Sequence, residues 1–329
     1  MCTSAKIKAV SSIAIAIVAM LIVGCGSDEE PLSWSQRVAD RPVPDLQTLR
    51  ERSAPDATTE IAQEAFLDIL KLREVPDERA VPVLDQIISD NVHTGRIHKY
   101  AAAQALFCID TVEAHNVLAK CTQNGHYSAR SGINYSFHWD MDESKRDAFI
   151  EQYHLVSISK DLDVRLDAQT RRVEGILHID FTATLRNTSD TLLELKDRKS
   201  CPNILLCCKD ENGKFIRVNN ALRGLCQPPP VSWVKLAPGK TYQYNIAARV
   251  KRADKMQRRY LRLPRKSDLV LCIDHQFCAI GKGTRFSVYA MIEESHLPEA
   301  QIEHCKLKNP WTGRVVSAPV AIDISEPAR

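Results

Sequence analysis

The sequence predicts an α+β protein built in parts, a small helical repeat segment followed by an antiparallel β-sandwich. Three observations carry this. Between residues 58 and 125, apolar residues recur at spacings of three and four, the period of a helix buried on one face. From about residue 154 the period becomes two, that of a half-buried strand. Turn pairs such as Asn212-Gly213 and Pro238-Gly239 punctuate this second region, as closely joined strands require.

The chain opens with Lys6 and Lys8, then an uncharged run over residues 9–23. A membrane-crossing helix needs roughly 20 apolar residues, whereas a secretory signal has a core of about 7–15. The residues that follow, Ile22-Val23-Gly24-Cys25, resemble a bacterial lipobox. That resemblance implies removal of residues 1–24, diacylglycerol on the Cys25 thiol and acylation of the new amino group. Two or more acyl chains anchor a protein stably. An uncleaved signal anchor is the alternative. Gly26, in place of an acidic residue, implies the outer membrane under the enterobacterial sorting rule; the periplasmic face of the inner membrane is the other site in a bacterial cell envelope. Residues 25–57, rich in Asp, Glu, Pro and Ser, read as an extended, lipidated tether.

Removing Lys6 and Lys8 takes the basic count from 44 to 42, against 41 acidic residues. A near-neutral chain lacks the strongly basic domain typical of nucleic-acid binding, so no nucleic-acid partner is expected. The length of 329 residues allows about two domains. Beyond Cys2 and Cys25, nine cysteines remain: Cys108, Cys121, Cys201, Cys207, Cys208, Cys226, Cys272, Cys278 and Cys305. Export favours pairing, and free Cys also serves as a small buried apolar residue; the sequence leaves both open.

In the helical segment, Thr58 or Thr59 stands where a cap belongs, and Ala62, Ala65, Phe66, Ile69 and Leu70 form a stripe. A second helix carries Val83, Leu84, Ile87 and Ile88, with Pro82 tolerable only in its first turn. The pattern then recurs. Ala62, Ala65, Phe66 and Ile69 match Ala102, Ala105, Leu106 and Ile109, 40 residues on; Ala80, Val83, Leu84 and Ile87 match Ala114, Val117, Leu118 and Cys121, 34 residues on. A helix-pair repeat near 40 residues is the period of HEAT arrays. The second copy, AAAQALFCIDTVEAHNVLAK, resembles the short HEAT-like type, with Cys108 where a glycine is usual. Two repeats fall short of the roughly three an independent array needs, so residues 58–125 are expected to lean on the domain that follows. Residues 126–153 read as a connecting segment ending in a short charged helix.

Residues 154–329 carry the strands. Leu177, Ile179, Phe181, Ala183 and Leu185 alternate with polar residues and end at the turn 187–190. A hairpin turns at Glu211-Asn212-Gly213, and Tyr242, Tyr244 and Ile246 alternate after Pro238-Gly239. The stretches LVLCI, RFSVYAMI and VVSAPVAIDI bring the count to about eight strands, a number suited to a sandwich. The set RNTSD, DENGK, LAPGKTYQY and VVSAPVAIDI resembles Ig-like modules of bacterial envelope proteins, and also the Ig-like fold of a family of intracellular proteinase inhibitors. Residues 249–267 and 294–311 read as insertions.

No complete catalytic constellation is present. Ser157 and Lys160 fit a Ser-x-x-Lys spacing without its partner motifs. The 238–241 stretch, PGKT, lacks the spaced glycine of a phosphate loop. Cys272, His275, Cys278, His304 and Cys305 are residue types zinc accepts. Read as one strand, however, Cys272 and Cys278 share a side and His275 takes the other, and six strand residues hold the cysteines too far apart to bond. No cofactor is implied.

The densest charge lies in residues 249–266, where Arg249, Lys251, Arg252, Lys255, Arg258, Arg259, Arg262, Arg265 and Lys266 meet one acid, Asp254. Such a cluster suits an anionic surface, and it equally suits a solvated insertion between strands. The sequence thus predicts a non-catalytic, membrane-anchored binding protein, an adaptor or scaffold for an envelope protein or anionic polymer. A protease-inhibitor-like module, with Pro228-Pro229-Pro230 as a stiff loop, is the second reading, and a zinc-dependent enzyme the third.

Overall fold

A computed structural model of the chain describes residues 34–54, 57–89, 96–128, 141–197, 204–216, 218–219, 232–255, 269–273, 276–281, 285–294 and 299–325. It is an α+β structure with antiparallel sheets, and it divides into two compact units, residues 1–127 and 128–329. Cys25 and the apolar run before it lie outside the described residues. Among those residues, no helix is long and apolar enough to cross a membrane.

The first unit is helical. α1 (Trp34–Ala39) and α2 (Leu46–Arg52) precede α3 (Thr59–Glu74), α4 (Val81–Ser89), α5 (Arg96–Ile109) and α6 (Val112–Gln123). The expected cap is in place, for the Thr58 hydroxyl accepts from the Ile61 amide at 3.4 Å, and Thr111 caps α6 in the same way. Pro82 sits in the first turn of α4, where its missing N–H costs nothing. Like members of the two helix pairs lie side by side, α3 against α5 and α4 against α6, and α5 also touches α4. Every residue from His98 to Ile109 is buried; alanines at 101, 102, 103 and 105 let neighbouring helices close in on several sides.

The expected extended tether is corrected in its second half. α1 and α2 pack on α3, burying Val38 and Leu49. Lys71 fastens α1, its ammonium donating to the carbonyls of Val38 and Ala39 at 3.3 and 2.9 Å. The helical segment leans on residues before it.

The second unit begins with α7 (Glu143–Phe149), continued by a π-helical turn (Ile150–His154). Asp142 caps it, accepting from the amides of Ser144 and Lys145. Among the described residues thirteen strands follow: β1 (Leu162–Val173), β2 (Ile176–Asn187), β3 (Leu193–Asp197), β4 (Ile204–Asp210), β5 (Phe215–Ile216), β6 (Val218–Asn219), β7 (Ser232–Leu236), β8 (Thr241–Arg252), β9 (Leu269–Ile273), β10 (Gln276–Gly281), β11 (Arg285–Glu294), β12 (Gly313–Val316) and β13 (Val320–Asp323), with α8 (Glu299–His304) between β11 and β12. A large sheet runs β1-β2-β8-β9-β10-β6. A second runs β12-β11-β4-β5, with β13 also on β11, and β3 and β7 form a ribbon.

The alternation expected of β2 holds, and Leu177, Ile179, Phe181, Ala183 and Leu185 are all buried. They share one core with Ile246 and Val250 of β8 and with Leu206, Val288 and Ile322 of the second sheet. The outer face of that second sheet carries Leu205, Cys207 and Met291, packed with Leu155 just beyond the π-turn. Two stretches that stood out in the sequence meet here: the Asn187 amide donates to the Lys240 carbonyl, and the Gly239 amide donates to the Asn187 carbonyl, both at 3.0 Å. In the β4–β5 hairpin only Gly213 has positive φ; the Asp210 carboxylate accepts from the amides of Asn212 and Lys214 and shapes the rest of the turn.

Two expected insertions are redrawn. Residues 249–252 belong to β8, so the connection to β9 starts at Ala253. The 294–311 stretch is partly framework, because buried Glu194 accepts from the amides of Lys308 and Asn309 and Trp311 enters the core.

Candidate functional site

The site begins at one end of the large sheet. Register sets Arg171 of β1 opposite His178 of β2, His178 opposite Arg249 of β8, and Arg249 opposite Cys272 of β9. Directly opposite side chains on one sheet face have Cβ atoms about 5 Å apart, so two guanidiniums flank one imidazole. Arg171 and Arg249 are exposed, and His178 is half-buried.

The same end gathers further charge. Lys251 lies two residues along β8 on the same face, ion-paired to Asp254 at 3.1 Å. Arg252 pairs with Leu269 in register, so the connection over residues 253–268 leaves and rejoins the sheet here. It carries exposed Lys255, and also Arg258, Arg259, Arg262, Arg265 and Lys266, which lie outside the described residues. The β1–β2 turn, Glu174-Gly175, stands at this end too. Negative charge is present but distributed: Arg171 reaches Asp180 only at 3.8 Å, and Arg249 has no ion-pair partner among the described residues. Arg172 faces the other way and donates to the carbonyls of Ile324 and Ser325. The arrangement can hold multivalent anions by charge and by forked hydrogen bonds.

Sequence reasoning found Arg249, Lys251, Arg252 and Lys255. It missed Arg171 and His178, about 75 residues earlier in the chain, because only strand register joins them to the cluster.

The other candidates separate. β9 and β10 form a hairpin, with Cys272 opposite Phe277 and Leu271 opposite Cys278. Cys272 therefore lies on the outer face and Cys278 on the core face, which corrects the single-strand reading that put them on one side. His275 lies outside the described residues. His304 ends α8 and Cys305 follows it, in the connection between β11 and β12. Among the described residues, no three His, Cys, Asp or Glu side chains are grouped to hold a metal. Ser157 and Ser159 are occupied structurally: the Ser157 hydroxyl accepts from the Val316 amide, and the Ser159 hydroxyl from the Trp311 indole at 3.1 Å. Pro228, Pro229 and Pro230 lie outside the described residues.

The first unit has a groove of about 630 Å³ between Arg37, Pro44, Arg52 and Asp68. Its charges are matched internally, since Arg41 and Arg52 converge on buried Asp68. Comparison with known protein families, characterised proteins and solved structures finds no match to this chain.

Proposed function

We propose that the protein is a lipid-anchored lipoprotein of the bacterial envelope that works by binding, as a non-catalytic adaptor, with the basic end of its large sheet turned to an anionic polymer or an acidic protein face. The observation that carries this is the Arg171–His178–Arg249 row beside the 253–268 connection. Arg171 of β1, Arg249 and Lys251 of β8 and Lys255 just beyond it gather, with His178 of β2 among them, at one end of the large sheet, in a chain whose total charge is nearly balanced. Two features support the wider reading. The side-by-side packing of α3 with α5 and α4 with α6 fits HEAT-like stacking, and the core shared by two antiparallel sheets fits an Ig-like sandwich. The lipobox at Cys25 supplies the anchor.

The test uses a lipid-free form beginning at residue 26, titrated with polyphosphate and with phosphatidylglycerol vesicles. Arg171→Ser, Arg249→Ser and Lys251→Ser combined should weaken binding several-fold and flatten its salt dependence, because exposed charges are screened over about 8 Å at physiological salt. Equal binding by variant and parent at low salt would remove the basic edge from the proposal. Cys25→Ser should abolish incorporation of labelled palmitate; equal labelling of both forms would remove the anchor.

A further inference from the structure

The chain crosses between the two large sheets within five residues. Phe215 and Ile216 pair with β4 in the second sheet, and Val218 and Asn219 pair with β10 in the large sheet. Cys208 lies opposite Ile216, and Cys278 lies opposite Val218. The two cysteines therefore flank one corner, one on each sheet, Cys208 opposite a residue of β5 and Cys278 opposite a residue of β6. Both face inward, with Cys208 1% and Cys278 0% exposed, in the same core. Their neighbours in sequence and space are directed elsewhere, Cys207 to the outer face of the second sheet and Cys272 to the outer face of the large one.

We propose that Cys208 and Cys278 are a redox pair that closes into a disulfide, stapling the two sheets of the second unit at this corner. The proposal stands apart from the basic edge and from the lipid anchor.

The step balances as ordinary thiol–disulfide exchange. One cysteine thiolate attacks a disulfide-bearing oxidant, such as oxidised glutathione or an oxidised dithiol protein, and releases one thiol. The second cysteine then attacks the mixed disulfide and releases the other. The two cysteines together lose two protons and two electrons, and the oxidant leaves as two thiols. In the closed core the reaction is held back: hydrogen bonding to Cys278 and burial push the Cys208 thiol well above its ordinary pKa, so little thiolate is available to attack. Exchange proceeds while the corner is open. β5 and β6 are two-residue strands at the edges of their sheets, the kind of element that opens at low cost. Once formed, the bond closes a loop of roughly 70 residues, a length at which cross-linking strongly restricts the unfolded chain.

Full-length protein in detergent is equilibrated with oxidised glutathione, quenched in acid, alkylated in denaturant, digested and mapped by mass spectrometry. The expected product is a cross-linked peptide pair holding Cys208 and Cys278, lighter by two hydrogens, unalkylated and released by reductant. Oxidation should raise the unfolding temperature of the second unit by about 10 °C, a shift that Cys208→Ala combined with Cys278→Ala removes. Complete alkylation of both cysteines, or linkage of either one to a different cysteine, overturns the pairing. A cross-linked pair whose loss in the double variant leaves the reductant-dependent shift unchanged overturns the stapling. The peptide map needs only the parent protein, so it decides the pairing even if the variant fails to fold.

Discussion

Arg314 and Glu293 are opposite each other in the β11–β12 ladder and joined as an ion pair, the Arg314 Nε donating to the Glu293 carboxylate at 2.9 Å. The guanidinium is fully buried. It also donates to the carbonyls of Tyr153 and His154 at the end of the π-turn, so one side chain ties α7 to the second sheet. Removing a partner from a buried pair costs about 3–5 kcal/mol, because the other charge is left uncompensated. Glu293→Ala should therefore lower the stability of the second unit by about 3 kcal/mol, and amides of α7 should lose hydrogen-exchange protection first. A loss under about 1 kcal/mol would show that the guanidinium finds other compensation.

One residue before that arginine, the backbone is as constrained as the side chain. Gly313 has φ of +135°, and a Cβ there would meet the Ser159 Cβ at 2.9 Å. Ser159 cannot easily yield, since its amide donates to the Arg314 carbonyl and its hydroxyl holds the Trp311 indole. Gly313→Ala combines a conformation few side chains adopt with a steric clash, and should cost about 1–3 kcal/mol. Urea denaturation checks this, and an unchanged midpoint would rule the strain out.

His98 gives the first unit a dependence on acid. Its Nε2 lies 2.7 Å from the Ala62 carbonyl, and Phe66 meets the ring edge-on. Burial lowers its pKa below the ordinary 6.5, more than the hydrogen bond to Ala62 raises it. The unfolded chain takes up this proton near pH 6.5 and the folded chain only at lower pH. Between those two values the unfolded state holds more protons, so stability is complete above about pH 6.5 and falls as pH drops toward the folded value. The slope approaches about 1.4 kcal/mol per pH unit. His98→Gln keeps a donor for Ala62 and should flatten the curve between about pH 5 and pH 7, as read by hydrogen exchange in α5. Parallel curves for parent and variant would exclude His98 as the source.

Much of this was legible because local signals and burial agree. Thr58 caps, Pro82 sits in a first turn, and the β2 alternation faces the core as its period requires. The misses share a cause, which is weak local signal overridden by tertiary packing. Among the described side chains of α1 and α2, the buried apolar residues are Val38 and Leu49, too few to show a period within a proline-rich, charged stretch. β1 alternates only through Leu162, Val164 and Leu166, and its second half is largely exposed, so its sequence carries too short a period to mark a strand. Between β9 and β10 the sequence has Asp274-His275, neither glycine nor an Asn-Gly pair, so the stretch reads as one strand. The Arg171–His178–Arg249 row depends on register between distant strands, which composition and local period leave open.

The N-terminal helices give the last prediction. Asp68, on α3 and 3% exposed, accepts from Arg41 at 2.8 Å and from Arg52 at 2.6 Å. One buried carboxylate thus holds the loop after α1 and the end of α2. Both arginines reach water, so each keeps solvation if Asp68 is lost, and the cost should sit below that of a fully buried pair. Asp68→Asn preserves shape and removes charge; a loss of about 2 kcal/mol is expected. Combining it with Arg52→Met should cost less than the two single changes added, as residues sharing one interaction require. The same contacts bear on truncation. A fragment of residues 58–127 lacks every donor to Asp68 from α1 and α2, the carbonyls that hold Lys71, and the apolar cover of Val38 and Leu49. It should show no cooperative thermal transition, while residues 34–127 should show one. Equal, cooperative melting of the two fragments would mean that α1 and α2 decorate the unit rather than complete it.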